Sequence, residues 1–295
     1  MSFINLNWYI ALAFCLFFFI GGRQLAEIPV GTPRARGLAG LLLFLFAAPA
    51  LLFPLAYLPL RITASPWYNT FRSIDRIELF SSLIAPAAGY ATYMKPDLPY
   101  KGYPASVRSP VLRIIKPLAF PFCILLISVN FIGPLLRPLD KNMTFNDFWA
   151  EGGVFIQSAT PVGGPAALIS AMHSLNNFAD NELDTVKGTY TDRSGTEFWY
   201  LARYAVNRGY RTRFFKLSGI GEAPVPSIFQ APGLTSEGAT HTGTGGYIAL
   251  LERSRSGMLT VGDPSQGMLE LSAEDFEALY GVPDLLLALS VPKSR

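Results

Sequence analysis

Apolar residues fall in two different patterns along this chain, with the change near residue 137. Before it they run in long unbroken blocks. Phe3–Gly22 and Pro117–Leu136 are each 20 uncharged residues, and Gly37–Leu60 is 24. Each meets the roughly 20 residues needed to cross about 30 Å of hydrocarbon. A further block, Ile77–Met94, is 18 residues with Glu78 near one end. It is expected to span as well, with a re-entrant helix as its alternative. No Lys or Arg precedes the first block, and its core is too long for a cleaved signal, so it is expected to be a retained anchor. Pro49, Pro54, Pro59, Pro121 and Pro134 should kink their helices, and Trp8, Tyr9, Trp67 and Tyr68 sit near block ends as an aromatic belt would. Residues 1–137 are therefore expected to be a membrane α-helical region of four transmembrane helices.

Beyond residue 137 the periods shorten. Residues 138–152 form a connector, and 153–295 read as one domain. Pro165 suits a first helical turn, and Ala166–Leu175 continues with Leu168, Met172 and Leu175 on one face. Helices are expected at Asn181–Lys187 and at Thr196–Asn207, the latter ended by Gly209. Strands are expected at Arg211–Leu217, Tyr247–Glu252, Gly257–Val261 and Met268–Leu271, with Asp284–Val291 as a last one. Ser272, with Asp275 three residues on, caps a helix. Helices first and a small antiparallel sheet afterwards predict an α+β domain.

Charge changes this picture by giving it direction. Residues 1–137 carry 12 basic and 4 acidic side chains, whereas residues 138–295 carry 12 and 17. The soluble half is thus acidic, which argues against nucleic acid as a partner. Arg23, Arg34 and Arg36 in the first loop and Lys95, Lys101, Arg108, Arg113 and Lys116 in the third outnumber Arg61, Arg72, Arg76, Arg137 and Lys141 on the other side. That excess places the first and third loops in the cytoplasm and the C-terminal domain outside it. Glu78 and Asn130 are strongly polar side chains within the blocks, and Glu78, at a helix end beside Arg76, is expected to reach headgroups. The chain's 2 cysteines, Cys15 and Cys123, lie in apolar runs and read as packing residues, leaving the domain without a disulfide or thiolate zinc site. No cofactor or metal is expected. Arg203, Arg208, Arg211, Arg213 and Lys216 read as solvated charges, and Gly233–Gly246 as a loop over the cleft described next.

The candidate chemistry is defined by side chains that are missing. Gln157 lies six residues before Gly163, which is followed by Gly164-Pro165-Ala166-Ala167; downstream come Gly246-Tyr247 and then Asp263-Pro264. A cysteine at a helix N-terminus, a histidine beside it, a Gln to bind the oxyanion and an Asp to orient the imidazole make a thiol peptidase. Around these residues the domain resembles the bacteriocin-processing, double-glycine-leader cysteine peptidase family, a papain-like branch, over about 140 residues that include Gly188-Thr189 and Gly195-Thr196. The resemblance implies a papain-like fold, with Gln157 as the oxyanion donor and Asp263 as the orienting acid. Gly163 stands in the nucleophile's place and Gly246 in the base's place. In the family the domain often precedes a peptide exporter, but no Gly-x-x-x-x-Gly-Lys-Ser/Thr motif occurs here.

Glycine can neither attack a carbonyl nor carry a proton, and losing either role costs orders of magnitude in rate. The expected function is therefore that of a catalytically inactive peptidase-like protein of the bacterial inner membrane acting as a binding or structural module, an accessory subunit of a larger complex being one form of that role. Gln157, Ser158, Tyr247 and His241 would be the residues that touch a peptide or partner, and the lipid bilayer and other membrane proteins would be the partners. Two alternatives remain. One is a peptidase with an unconventional nucleophile served by His241, since His173 lies ten residues into its helix, about 15 Å from the start. The other is a small membrane transporter that uses Glu78.

Overall fold

The computed structural model describes all residues except 2, 29–32, 58–60, 94–108, 177–179, 232–245 and 293–295. Lys95, Lys101, Arg108, His241 and the loop of residues 233–245 therefore lie outside the described residues, as do the side chains of Arg34, Arg36, Arg61, Arg113 and Lys116. The chain divides into two compact units. One comprises Asn5–Leu60 and Arg76–Gly133, and the other Met1–Ile4, Arg61–Asp75 and Pro134–Arg295.

The first unit opens with α1 (Asn7–Glu27) and α2 (Pro33–Ala47). After α2 the second apolar block continues as 3₁₀ turns over Ala48–Leu52 and Pro54–Tyr57. Pro49 and Pro54 each lack the N–H that would continue an α-helix. Helix α3 (Pro66–Ser73) belongs to the other unit. The third block starts as 3₁₀ over Ile77–Leu83 and becomes α4 (Ile84–Tyr93). The Ser81 and Ser82 hydroxyls donate to the carbonyls of Glu78 and Leu79 at 2.6 Å, tying down the tight turn. Helix α5 (Ser109–Leu136) carries the fourth block. Among the described residues one helix, α1, is long and apolar enough to cross a membrane; Gly37–Leu52 and Pro117–Asn130 are shorter apolar helical stretches. Large apolar side chains nonetheless face outward on several of these elements, including Phe17, Leu42, Phe46 and Leu125. Glu78 differs from the expectation of a headgroup contact. It is fully buried and accepts from Asn7 Nδ2 at 3.4 Å, because the 3₁₀ turn carries it inward instead of toward the end of the helix.

Two glycines set how closely α1 and α4 approach. A Cβ at Gly22 would lie 2.1 Å from the Pro86 carbonyl oxygen, and one at Gly89 would lie 2.2 Å from that of Phe19. Backbone meets backbone at this crossing, which only residues without a side chain permit.

The second unit is a three-layer α+β domain. After a short antiparallel pair, β1 (Phe148–Ala150) and β2 (Val154–Ile156), come α6 (Gly163–Asn176), α7 (Glu182–Gly188) and α8 (Phe198–Asn207). The six-stranded antiparallel sheet runs in the order β3-β8-β4-β5-β6-β7. Its strands are β3 (Arg211–Phe215), β4 (Ser227–Gln230), β5 (Tyr247–Arg253), β6 (Leu259–Asp263), β7 (Gly267–Leu271) and β8 (Leu286–Ser290). Helix α9 (Ala273–Tyr280) precedes β8, and Ser272 Oγ accepts from Asp275 N at 3.0 Å, the expected cap. Both faces of the sheet are covered. Ile228, Ala249 and Leu287 pack toward α6 and α8, while Phe229, Ile248, Leu250 and Leu286 pack with Phe276 and Tyr280 of α9. This double burial is why residues 247–251 read as a continuous apolar run instead of alternating. Strand β4 had no clear sequence signal, being four residues wedged between two prolines and a Gly-rich stretch.

Residues from well before the connector also join this domain. Phe3 packs with Leu139, Val162 and Val186, and Leu139 N donates to the Met1 carbonyl at 2.8 Å. Helix α3, in a segment expected to be a loop between spans, lies against α8. The buried Arg72 guanidinium sits 4.4 Å from the Trp199 ring centroid and donates to Tyr68 Oη at 3.0 Å. Arg203 in turn donates to the Arg72 carbonyl at 2.7 Å. Arg203 was expected to be solvated but is buried here, because α3 covers its face of α8. Arg208 likewise pairs with Asp180 at 2.8 Å instead of standing free in solvent.

The α1–α4 crossing gives a direct test. Gly89→Ala is expected to destabilise the protein by about 1–3 kcal/mol, the usual cost of overpacking. Gly21→Ala, where a Cβ meets nothing within 4 Å, should be neutral or slightly stabilising. Thermal unfolding of both variants in detergent separates the two.

Candidate functional site

Strand β2 delivers Gln157 to the edge of the sheet. Its main-chain N–H donates to the Pro264 carbonyl at 2.9 Å, which fixes it beside the turn that follows Asp263. A 3₁₀ turn, Thr160–Val162, then feeds α6, whose first residue is Gly163 with helical backbone angles of φ −59° and ψ −34°. Pro165 occupies the first turn, where its missing N–H costs no hydrogen bond.

Gly163 and Gly246 line one cavity of about 110 Å³, together with Gly164, Thr196, Tyr247 and the segment 193–195. The space a side chain would take at Gly163 holds the Gln157 amide, with Oε1 2.5 Å from an ideal Cβ; Tyr247 N lies 3.9 Å from the same point. At Gly164 a Cβ would stand 3.1 Å from the Tyr247 ring and 3.3 Å from Thr196 Cβ. Gly246 immediately precedes β5, and its carbonyl accepts from Ala231 N at 2.9 Å. Tyr247 is buried and donates to the Thr196 carbonyl at 2.6 Å. Burial, with the Glu197 charge adding to it, pushes its phenol well above the usual tyrosine range. It is therefore a neutral donor and wall.

Asp263 ends β6 and is buried, and its carboxylate is saturated. Oδ1 accepts from Ser265 N at 2.8 Å and Ser265 Oγ at 2.6 Å, and Oδ2 accepts from Tyr280 Oη at 2.9 Å and Gln266 Nε2 at 3.2 Å. An ionised carboxylate offers about four acceptor positions, and all four are taken. Tyr280, raised well above its ordinary range by burial and then by this bond, stays protonated as a donor.

Ser158 faces away from the cavity chemistry. Its N–H donates at 2.8 Å to the buried Glu182 carboxylate, its hydroxyl donates to the same group, and Asn146 N donates to the hydroxyl at 2.8 Å. Burial raises the Glu182 carboxyl above the usual range, partly offset by the bonds from Ser158. The structure thus brings Gln157, Gly163, Gly246 and Tyr247 together, joins Asp263 to them through the Gln157–Pro264 bond, and ties Ser158 into the frame. His173 lies elsewhere, its ring 4.6 Å from that of Trp149 and tilted 49° to it. Sequence reasoning missed Tyr280, Glu182 and the buried hydroxyl ladder Thr189–Thr191–Thr196 (2.9 and 2.6 Å) that backs the cavity wall. The Gly188-Thr189 and Gly195-Thr196 pairs carried a trace of the ladder. Nothing in the spacing marked Tyr280 as the partner of Asp263.

No protein-family model and no curated protein matches the sequence. Solved structures do match about half of the chain. The peptidase domain of Streptococcus ComA, a bi-functional ABC transporter involved in a quorum-sensing pathway, is 21% identical over 46% of this chain and 96% of its own, with a TM-score of 0.36. A double-glycine-motif protease from an AMS/PCAT transporter, in complex with the leader peptide, is 12% identical over 53% of this chain and 99% of its own, with a TM-score of 0.36. The N-terminal peptidase C39-like domain of a toxin-secretion ATP-binding protein from Vibrio parahaemolyticus is 14% identical over 45% and 98%, with a TM-score of 0.33.

The two glycines should respond differently to a methyl group. Gly163→Ala meets only the tip of a flexible side chain in a helical backbone, so it is expected to be neutral or stabilising by up to about 1 kcal/mol. Gly164→Ala presses on a buried ring and is expected to be the more destabilising of the pair; urea titration of the two variants checks the order. Glu182 predicts a pH dependence. Its folded carboxyl binds a proton more readily than the unfolded one, so its contribution to stability is full below the unfolded value of about 4.5 and falls as pH rises through the raised folded value. Glu182→Gln should flatten the unfolding midpoint over that window, and an unchanged slope would refute the assignment.

Proposed function

We propose that this chain is a membrane-anchored, peptidase-like protein without hydrolytic chemistry, serving as a binding or structural module in a larger membrane complex. The observation that carries the reading is the pairing of Gly163 and Gly246 on one cavity, at the positions where the sequence resemblance expects a thiol and an imidazole. The saturated Asp263 supports it. Its four acceptor positions are met by Ser265, Gln266 and Tyr280, so the fold is satisfied without a base to orient. Gln157 supports it too, since its side chain occupies the place of the absent nucleophile's. What such a domain offers is surface: a cleft between α6 and the start of β5 whose walls, among the described residues, carry Arg193 but no nucleophile or base. The apolar side chains exposed along α1, α2 and α5, together with the span-length α1, support anchoring in a bilayer, with the C-terminal domain on the extracytoplasmic side by the Lys/Arg distribution.

Extraction from native membranes in mild detergent, followed by measurement of mass and composition, tests the reading. A stoichiometric assembly with other proteins is the expected outcome. Turnover of any member of a peptide panel, abolished by His241→Ala, would reverse it. Restoring the chemistry tests the site itself. In the double variant Gly163→Cys/Gly246→His, after Gln157 swings aside, the thiol at the head of α6 should alkylate at mildly acid pH with a depressed pKa. A pH–rate profile of an ordinary thiol would show that the two positions do not correspond to nucleophile and base.

A further inference from the structure

Along α4 the side chains of Ala87, Ala88 and Ala91 end at their first carbon, and the space they leave is not filled from α2 or α5. The result is a cavity of about 470 Å³, lined by those alanines, by Phe44 of α2 and by Leu118 and Phe122 of α5. Its lining on α4 runs from Ile84 to Thr92, eight positions and so about 12 Å at 1.5 Å per residue. That is most of one leaflet's share of a hydrocarbon core about 30 Å thick. Phe44, Leu118 and Phe122 are themselves exposed, so the cavity opens to the medium around the unit.

The chemistry of the walls narrows the occupant. The one hydroxyl among the described lining residues, that of Thr92, already donates to the Ala88 and Gly89 carbonyls at 3.0 and 2.9 Å. A ligand with polar groups would leave them unpaired inside, whereas a hydrocarbon chain needs only such walls. One end of the cavity is different. Tyr93 follows Thr92, and the Arg23 guanidinium of α1 lies 4.4 Å from the Tyr93 ring centroid. Arg23 Nε donates to Glu27 at 3.3 Å, and its two terminal nitrogens have no hydrogen-bond partner among the described residues. A planar guanidinium with that edge free suits a phosphate. Arg113 and Lys116 add basic charge to α5 just before Leu118. The Lys/Arg distribution assigns all three cations to the cytoplasmic side, where the leaflet carries anionic lipid.

We propose that this cavity is a lipid site, seating one acyl chain of an anionic phospholipid whose phosphate pairs with Arg23. The chain fills the gap between α4 and α5 and props the two helices at their spacing. The proposal rests on the bilayer part of the proposed function and is independent of the peptidase-like cleft.

The test uses the full-length protein, purified in mild detergent, stripped of lipid and titrated with phosphatidylglycerol or phosphatidylcholine of identical chains. Native mass spectrometry counts the lipids retained. One phosphatidylglycerol per chain is expected, favoured over phosphatidylcholine about fivefold. Arg23→Gln should abolish that preference and leave phosphatidylcholine at the parental level. Ala88→Phe, which fills the cavity, should weaken both lipids about tenfold or more. Unfolding midpoints measured without lipid show that each variant folds, and the parental comparison with Arg23→Gln decides even if Ala88→Phe does not. Equal retention of the two lipids by the parent would overturn the proposal, as would phosphatidylglycerol binding unchanged in a folded Ala88→Phe. A co-purified polypeptide lost only from Ala88→Phe would make the cavity a protein interface and overturn it too. Release of the protein by alkaline carbonate overturns the bilayer reading and the lipid site together. A protein that stays embedded yet shows no lipid preference overturns the lipid site alone.

Discussion

The first ten residues of helix α6 are buried on every side, and the rest of the C-terminal domain is arranged to make that possible. Ten consecutive residues, Gly163 to Met172, are inaccessible to solvent, so the helix has no polar face and needs a partner in every direction. The sheet supplies one through Ala249 and Leu251, and α8 supplies another through Leu201 and Ala205. The β1–β2 pair supplies a third, where Phe155 packs on Ala166 and Ile169 while its N–H donates to Ser170 Oγ at 2.9 Å. Small residues on α6 (Gly163, Gly164, Ala166, Ala167, Ala171) are what let so many elements approach it at once.

Burial of this kind fixes the two ends of the site. The head of α6 is held against the first residues of β5, and the Gln157 N–H to Pro264 carbonyl bond holds the entering chain against the β6–β7 turn. A frame so determined does not need reactive groups to stay in register. The polar groups that remain have been absorbed into structure: Asp263 by its own turn and by Tyr280, Ser158 by Glu182, and Tyr247 by the Thr196 carbonyl. Each would cost on the order of 1–3 kcal/mol if left buried and unpaired, so this absorption is a condition of stability.

The apolar unit follows a different logic. Where α1 crosses α4, backbone meets backbone and small residues set the spacing. Gly22 against Pro86 and Gly89 against Phe19 are the points of closest approach. Cys15 and Cys123 are buried in the same interior.

Local rules determined much of what the sequence disclosed. Periodicity and capping located α6, α7, α8 and α9 and five of the strands to within a few residues, because Ser272, Asn181, Pro165 and the apolar run at Tyr247 act within a turn of themselves. The spacing of Gln157, Gly163, Gly246 and Asp263 made the candidate site legible before any fold was known. Contacts between distant segments were not legible. Neither Arg72 on Trp199 nor Tyr280 on Asp263 leaves a mark in local sequence, since each partner is an ordinary residue for its own element. The 3₁₀ turns that interrupt the second and third apolar blocks, and the burial of Glu78 and Arg203, were likewise settled by neighbours brought in from elsewhere. Hydropathy averaged along the chain reports how apolar a segment is. What the segment touches is decided by long-range packing, and that belongs to the tertiary structure alone.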